Sequence, residues 1–284
     1  MRRLGVFVHF DKFGNVAPHV ERSLMAVAEF TDHLVVVSAS DLTPTAESTL
    51  RSYGQLVRRP NVGYDFGSYR DGLRAVSVPE SYDAWLISND SCVGPLAPLA
   101  QIAARPHLSD ADIWGITEST ESGQHHIQSY FLHVGPRAIA EPVVTAFFRH
   151  LPDISDRHTV IRRYELGFSR LALTAGLRLG AAYVPSDSDV TVGAYRAARS
   201  KGRVHALRAA RAARLGIRPP TFNQTLALGD RALTGAQLPF VKISLLRDDP
   251  YRTGADRLLE RLERAYPTEF AGVRDYLASI KSTG

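Results

Sequence analysis

The chain has 284 residues, 44% hydrophobic and 22% charged, a balance that fits a soluble globular protein with a substantial core and excludes a disordered or fibrous one. Lys and Arg number 34 against 29 Asp and Glu, a net charge of +5, which favours an anionic partner such as a nucleotide, a lipid headgroup or a nucleic acid. A single cysteine, Cys92, excludes an internal disulfide, no apolar run reaches the ~18 residues of a membrane span, and the apolar stretch behind Met1-Arg2-Arg3 is too short for a signal-peptide core, so the expected location is the cytoplasm.

In chain order, Arg3 to Phe10 reads as a strand broken by Asp11 to Gly14. Pro18 fits the first turn of a helix on which Val20, Leu24 and Val27 recur at helical spacing. His33 to Val37 is a second strand, Pro44 to Tyr53 a helix closed by Gly54, and Leu56-Val57 a short third strand. Strands separated by helices imply parallel pairing, because parallel neighbours need a crossover. A helix over Ser68 to Val76 then leads into Tyr82 to Leu96, the stretch around which the rest is organised. Its apolar run Ala84 to Ile87 stops at Asn89-Asp90-Ser91, with Gly94-Pro95 as the next punctuation. That pattern predicts a buried strand with a polar tip, and in an open α/β sheet ligands bind outside the carboxyl ends of the strands.

Beyond it, the pattern predicts a short helix at Leu96 to Ala104, strands at Asp112 to Ile116 and Gln128 to Val134, helices at Pro136 to His150 and Thr159 to Thr174, and a final strand at Leu177 to Val184. Everything past Tyr195 reads as helical. The expected organisation is an α/β domain over 1–194 and a helical region over 195–284, whose Leu258, Leu259 and Leu262 pack back on the core.

Several residues are candidates on their own chemistry. In Asn61-Val-Gly63-Tyr-Asp65-Phe-Gly67-Ser68 the glycines let backbone approach a ligand, and the helix that follows offers free N–H groups to an anion such as a pyrophosphate. The segment matches neither the dinucleotide fingerprint nor the P-loop, and an ordinary strand-to-helix turn explains it as well. His9 and Asp11, at the end of the first strand, are placed to meet a nucleotide, although a His in an apolar strand is commonly a satisfied core residue. His126 and Gln128 read either as acceptor or sugar contacts or as an exposed loop, since adjacent histidines lack the spacing of a zinc site. Lys242, flanked by apolar residues, calls for a nearby anion unless it snorkels to the surface. At ~100° per residue Arg196, Arg199, Arg203, Arg211 and Arg214 share one face if the helix through Arg196 to Arg218 is continuous, a face for anionic lipid or for solvent. It lacks the interleaved aromatics of a nucleic-acid surface, so no nucleic-acid partner is expected.

The loop NVGYDFGSYRDGL, the strand end WLISNDSCVGPL, the segment WGITESTESGQHHIQSYFLHV and PFVKISLLRDDPY together resemble the rhamnan synthesis protein F family of bacterial surface polysaccharide assembly. The resemblance implies a GT-A-like, mostly parallel nucleotide-binding sheet flanked by helices. It further implies a transferase moving a sugar, typically rhamnose, from a nucleoside diphosphate donor such as dTDP-rhamnose to a glycan or lipid-linked acceptor. Asn89-Asp90-Ser91 then stands where GT-A enzymes carry Asp-x-Asp. Asp90 is the expected ligand of Mg²⁺ or Mn²⁺ on the donor pyrophosphate, with one carboxylate where that motif has two, and a turn or cap residue is the alternative. By the same resemblance Glu165 is the base of an inverting transfer, the alternative being a solvated residue paired with Arg162. A non-catalytic sugar- or nucleotide-binding module is the other function the single carboxylate leaves open.

Overall fold

The structure is a computed structural model describing residues 1–120, 125–214 and 221–281. Its first half alternates strand and helix: β1 (Arg3–His9), α1 (Pro18–Phe30), β2 (His33–Ser38), α2 (Pro44–Tyr53), β3 (Gln55–Arg58), α3 (Tyr64–Arg74) and β4 (Ala84–Asn89). β1 pairs in parallel with β2 on one side and β4 on the other, and β2 pairs in parallel with β3. The chain continues through β5 (Cys92–Val93), α4 (Leu99–Ala103), β6 (Ile113–Gly115), β7 (Glu118–Ser119), β8 (His126–Ile127) and β9 (Phe131–Val134). β9 runs antiparallel between β4 and β6. After α5 (Pro136–Ala140), α6 (Pro142–His150), α7 (Arg157–Val160) and α8 (Leu166–Thr174), β10 (Leu179–Ala181) joins the edge in parallel with β6.

The seven-stranded order β10-β6-β9-β4-β1-β2-β3 places β4 at the centre, with the carboxyl ends of β1 and β4 side by side. This is the mostly parallel α/β sheet predicted from the sequence. Both faces of its central strands are covered, which is why they read as continuous apolar runs. Leu4, Val6, Val8, Val35, Val37, Trp85 and Ile87 pack with Phe66, Tyr69 and Leu73 of α3, while Phe7, Val36 and Leu86 face Val20, Leu24 and Val27 of α1. Gly72 lets α3 lie this close, since a Cβ there would stand 2.4 Å from Val6 Cγ1.

Several boundaries differ from expectation. α3 starts at Tyr64, four residues early, because Gly63 takes the left-handed conformation (φ 75°) and turns the loop straight into the helix. The expected helix over Pro136 to His150 divides at Pro142: Glu141 is extended (ψ 116°), as residues before proline tend to be. Gln128 to Val134 supplies strand only from Phe131, and Leu177 to Val184 only over three residues. The helix expected over Thr159 to Thr174 contains a wide turn, Ile161–Glu165, in π geometry between α7 and α8.

The chain passes position 194 inside α9 (Asp187–Ser200), followed by α10 (Arg203–Arg214), α11 (Gln224–Ala227), β11 (Val241–Lys242), α12 (Ile243–Asp248), α13 (Ala255–Ala265), α14 (Pro267–Phe270) and α15 (Val273–Lys281). Two expectations are corrected here. The region past Tyr195 is not wholly helical, because β11 pairs antiparallel with β5. The arginine-bearing helix is not continuous, because Gly202 (φ 118°) separates α9 from α10. Arg196 turns inward to Asp230, at 2.7 and 2.9 Å, and residues 215–218 of the expected stripe lie outside the described residues. Leu258, Leu259 and Leu262 are buried as expected, in a cluster that also takes in Val93, Val241 and Leu245.

Candidate functional site

A cavity of about 1370 Å³ opens beside the carboxyl end of β4. The strand tip, the start of α3, the β8–β9 segment, the π turn and β11 all contribute to its wall. Of the residues singled out from the sequence, Asp65, Asn89, His126, Gln128, Glu165 and Lys242 line it. A smaller cavity of about 420 Å³ adjoins it, lined by Asp11 and Asp90 and sharing Ser91, Lys242 and Ser244 with the larger one.

The tip is built by short-range polar bonds. Asn89 Nδ2 donates to Asp65 Oδ2 at 2.9 Å, while Asn89 Oδ1 accepts from the hydroxyl and the backbone N–H of Ser91, at 2.7 and 3.2 Å. Asp90 Oδ2 accepts from the Phe10 N–H at 2.6 Å, tying the end of β4 to the end of β1. Burial pushes the Asp90 carboxyl up to about 8, with the nearby charges of Asp65 and Asp11 acting in the same direction and the Phe10 bond opposing them. Among the described residues no three His, Cys, Asp or Glu side chains converge to hold a metal ion. Asp65 and Asp90, the carboxylates at the tip, are engaged by Asn89 and by the Phe10 N–H, so the described residues present no preformed cage for the divalent ion that the resemblance implies.

Glu165 ends the π turn. Its Oε1 accepts the Ser129 N–H at 2.9 Å, and it is this backbone group, not Arg162, that holds it. The Ser129 carbonyl in turn accepts from the buried Tyr69 hydroxyl at 2.8 Å, so α3 fixes the segment that fixes the carboxylate. The wide turn matters because it displaces the helix backbone locally, and such π segments recur at functional sites. Gln128, 4% exposed, has its Oε1 held by the hydroxyls of Thr117, at 2.8 Å, and Thr225. His126, 5% exposed, stands beside it on β8. Lys242 is positioned by the β11–β5 pairing, with its Nζ 5.4 Å from the centre of the Tyr130 ring.

Four expected donor contacts are not brought to either cavity wall. His9 is fully buried, and its ring nitrogens lie 3.0 Å from Ser38 Oγ and 3.0 Å from the Asn15 carbonyl; it is a satisfied core histidine, and burial lowers its pKa. Asn61 is exposed on the loop outside the cavity. Gly63 and Gly67 pack against a side chain: a Cβ on Gly63 would stand 2.4 Å from Asp153 Oδ1, and one on Gly67 2.9 Å from both that atom and Arg59 Nη2. Asp11 lines the smaller cavity while its Oδ1 closes its own loop, accepting from Phe13 and Asn15 N–H at 2.9 and 3.0 Å.

Sequence reasoning missed Arg162, Arg163 and Arg170 as cavity-lining groups, together with Ser119, Ser129, Tyr130 and Asn223. The arginines could have been found from their spacing around Glu165; the others depend on long-range pairing, as in the Ser119–Asn223 bridge.

Comparison with known proteins agrees with the motifs. Residues 34–196 match the family described as rhamnan synthesis protein F. The virulence protein VirA of Vibrio anguillarum (strain ATCC 68554 / 775) is 30% identical over 237 residues, 79% of this chain and 70% of VirA. The uncharacterized protein y4gN of Sinorhizobium fredii (strain NBRC 101917 / NGR234) is 30% identical over 159 residues, 54% of this chain, and the match spans 42% of that protein's length. Among solved structures, the galactosyltransferase LgtC in complex with donor and acceptor sugar analogs aligns over 91% of this chain and 94% of its own at 12% identity. Its TM-score of 0.38 makes it too distant to carry a fold or an activity over. On the family match and the VirA relationship, this chain belongs to the rhamnan synthesis protein F family.

Proposed function

We propose that the protein is a glycosyltransferase that moves a sugar, rhamnose, from a nucleoside diphosphate donor such as dTDP-rhamnose to a hydroxyl of a glycan or lipid-linked acceptor. One observation carries this reading: a fixed carboxylate, Glu165, and a cationic group, Lys242, line one cavity at the carboxyl end of the central strand. Transfer needs both. A base takes the acceptor proton as its oxygen attacks the anomeric carbon, and a positive environment receives the electron pair of the breaking bond to the diphosphate. Ser129 occupies Glu165 Oε1, which leaves Oε2 as the oxygen to take the proton. Attack from the side opposite the departing diphosphate inverts the anomeric centre. Asp65, Asn89 and Asp90 bound the donor end, and His126 and Gln128 the acceptor end.

A lipid-linked acceptor would meet the protein at a membrane surface, and α10 supports that partner. Val204 and Leu207 are 60% and 71% exposed on it, and Arg208 and Arg211 follow them at helical spacing. Among the described residues no helix is long and apolar enough to cross a membrane, so the contact proposed is peripheral, on the cytoplasmic face.

The test is turnover of a panel of nucleoside diphosphate sugars by the purified protein. Glu165→Gln should lower transfer by about 10²–10⁴-fold while donor affinity stays near wild type, the signature of a lost base. Full activity in Glu165→Gln would overturn the assignment.

A further inference from the structure

A diphosphate leaving group must have its charge offset, by a metal ion or by fixed side-chain cations. The carboxylates that would hold a metal are engaged inside the protein: Asp65 by Asn89 and Asp90 by the Phe10 N–H. The cations stand in the opposite condition. Lys242, Arg162, Arg163 and Arg170 all line the larger cavity, and none of them enters an ion pair with a described residue. Lys242 comes from β11, beside the Asn89-Asp90-Ser91 tip. Arg162 and Arg163 come from the π turn and Arg170 from α8.

What marks these four is that they line one cavity together. Several arginines elsewhere have carboxylate partners nearby, such as Arg51 with Glu47, Arg149 with Glu80, Arg196 with Asp230 and Arg274 with Glu263, while others, such as Arg74 and Arg105, are held by backbone carbonyls. Guanidinium groups suit phosphate oxygens because their planar N–H forks can bond two of them at once, and the ammonium supplies a compact charge beside them.

We propose that the cavity binds the diphosphate of its ligand through Lys242, Arg162, Arg163 and Arg170, with no divalent metal ion required. The proposal rests on the transferase reading for its choice of ligand and adds to it how the leaving group is held.

The experiment is calorimetric titration of inorganic pyrophosphate and of dTDP into EDTA-treated protein, repeated with Mn²⁺. Affinities without and with the metal should agree within about threefold. Lys242→Met and the double variant Arg162→Met/Arg163→Met should each weaken binding by roughly tenfold or more, and Lys242→Arg should recover most of the loss, because the charge returns. Circular dichroism of each variant separates a lost contact from a lost fold. Binding that requires Mn²⁺ overturns the proposal. So does binding unchanged in correctly folded cation variants, or no binding under either condition. The two readings fail separately. Metal-free binding with no turnover of any nucleoside diphosphate sugar removes the transferase and leaves the cation site. Turnover abolished by EDTA and restored by Mn²⁺ removes the cation site and leaves the transferase.

Discussion

Two groups of cations flank α3 and live under different rules. Beneath the loop at its start, Arg59 and Arg70 are nearly closed off from solvent and surrounded by acceptors. Arg59 Nε bonds Asp71 at 2.6 Å and its Nη2 bonds Asp153 at 3.0 Å, while Arg70 bonds Asp71 at 2.7 Å, Asp153 at 3.2 Å and the Leu151 carbonyl at 2.7 Å. Around the cavity, Arg162, Arg163 and Arg170 are exposed and make no ion pair with a described residue. The first group is spent on holding the loop to the α6–α7 connection. The second is held available. Arg59 and Arg70 are matched by carboxylates and serve the fold, whereas the cavity arginines have no such match and face open space.

The largest effect expected from that contrast is on stability. Arg70→Met removes one member of a buried network and leaves Asp71, Asp153 and the Leu151 carbonyl short of partners; loss of about 3–5 kcal/mol is expected from breaking such a pair on one side. Arg163→Met, an exposed site without an ion pair, should fall within about 0.5 kcal/mol of wild type. Urea unfolding of both variants checks the pair of outcomes, and equal losses would abolish the distinction.

Burial without a partner gives the next effect, read by pH. His19 on α1 is 1% exposed, lies 4.8 Å from the Tyr276 ring, and has neither ring nitrogen hydrogen-bonded in ordinary geometry. Burial lowers its pKa from 6.5 to about 4, with Arg22 adding to the shift. The unfolded chain therefore takes up this proton before the folded one does. Its protonation costs nothing above pH ~6.5 and removes stability as pH falls towards 4, by roughly 2–3 kcal/mol at the lower end. His19→Leu should flatten that part of the stability-against-pH curve, and an unchanged slope would remove His19 as the cause.

How much of this was legible beforehand follows from what each feature depends on. The central strand was readable because both its faces are covered, so Ala84 to Ile87 had to be apolar in sequence. Its polar tip was readable because a strand that leaves the core must end somewhere wet. β11 was not, since its two residues are strand only by virtue of Cys92 and Val93, about 150 positions away. The split of the arginine helix was half visible in Gly202. The glycine loop was open to two readings because alternate glycines say only that something approaches the backbone, and the Asp153 side chain is one such neighbour. Glu165 lined up with Arg162 at helical spacing, yet the π turn and Ser129 gave its carboxylate a different partner.

The glycine loop provides a smaller and sharper test. Gly63 sits at φ 75°, and the Cβ of an alanine there would press on Asp153 Oδ1, an atom pinned by two arginines. Gly63→Ala should lose about 1–2 kcal/mol of stability from the strained backbone and the displaced carboxylate. The folded variant should bind pyrophosphate with an affinity changed by less than about twofold, as expected of a change remote from the charges. A tenfold loss of binding would return the loop to the ligand.

Salt separates the two groups of cations at the smallest scale. Raising ionic strength from about 0.1 to 1 M shortens the screening length from ~10 to ~3 Å, which weakens attraction between exposed charges far more than between enclosed ones. Pyrophosphate binding at the cavity should therefore weaken steadily with added NaCl. The part of stability that Arg59 and Arg70 provide should change little, because their side chains are only 5% and 9% exposed and their bonds are short. The difference in unfolding free energy between wild type and Arg70→Met, measured at low and high NaCl, reads that part alone. Were that difference to vanish in salt while pyrophosphate affinity held constant, the two roles would be reversed. The cavity arginines would then owe their exposure to nothing more than a solvated helix face.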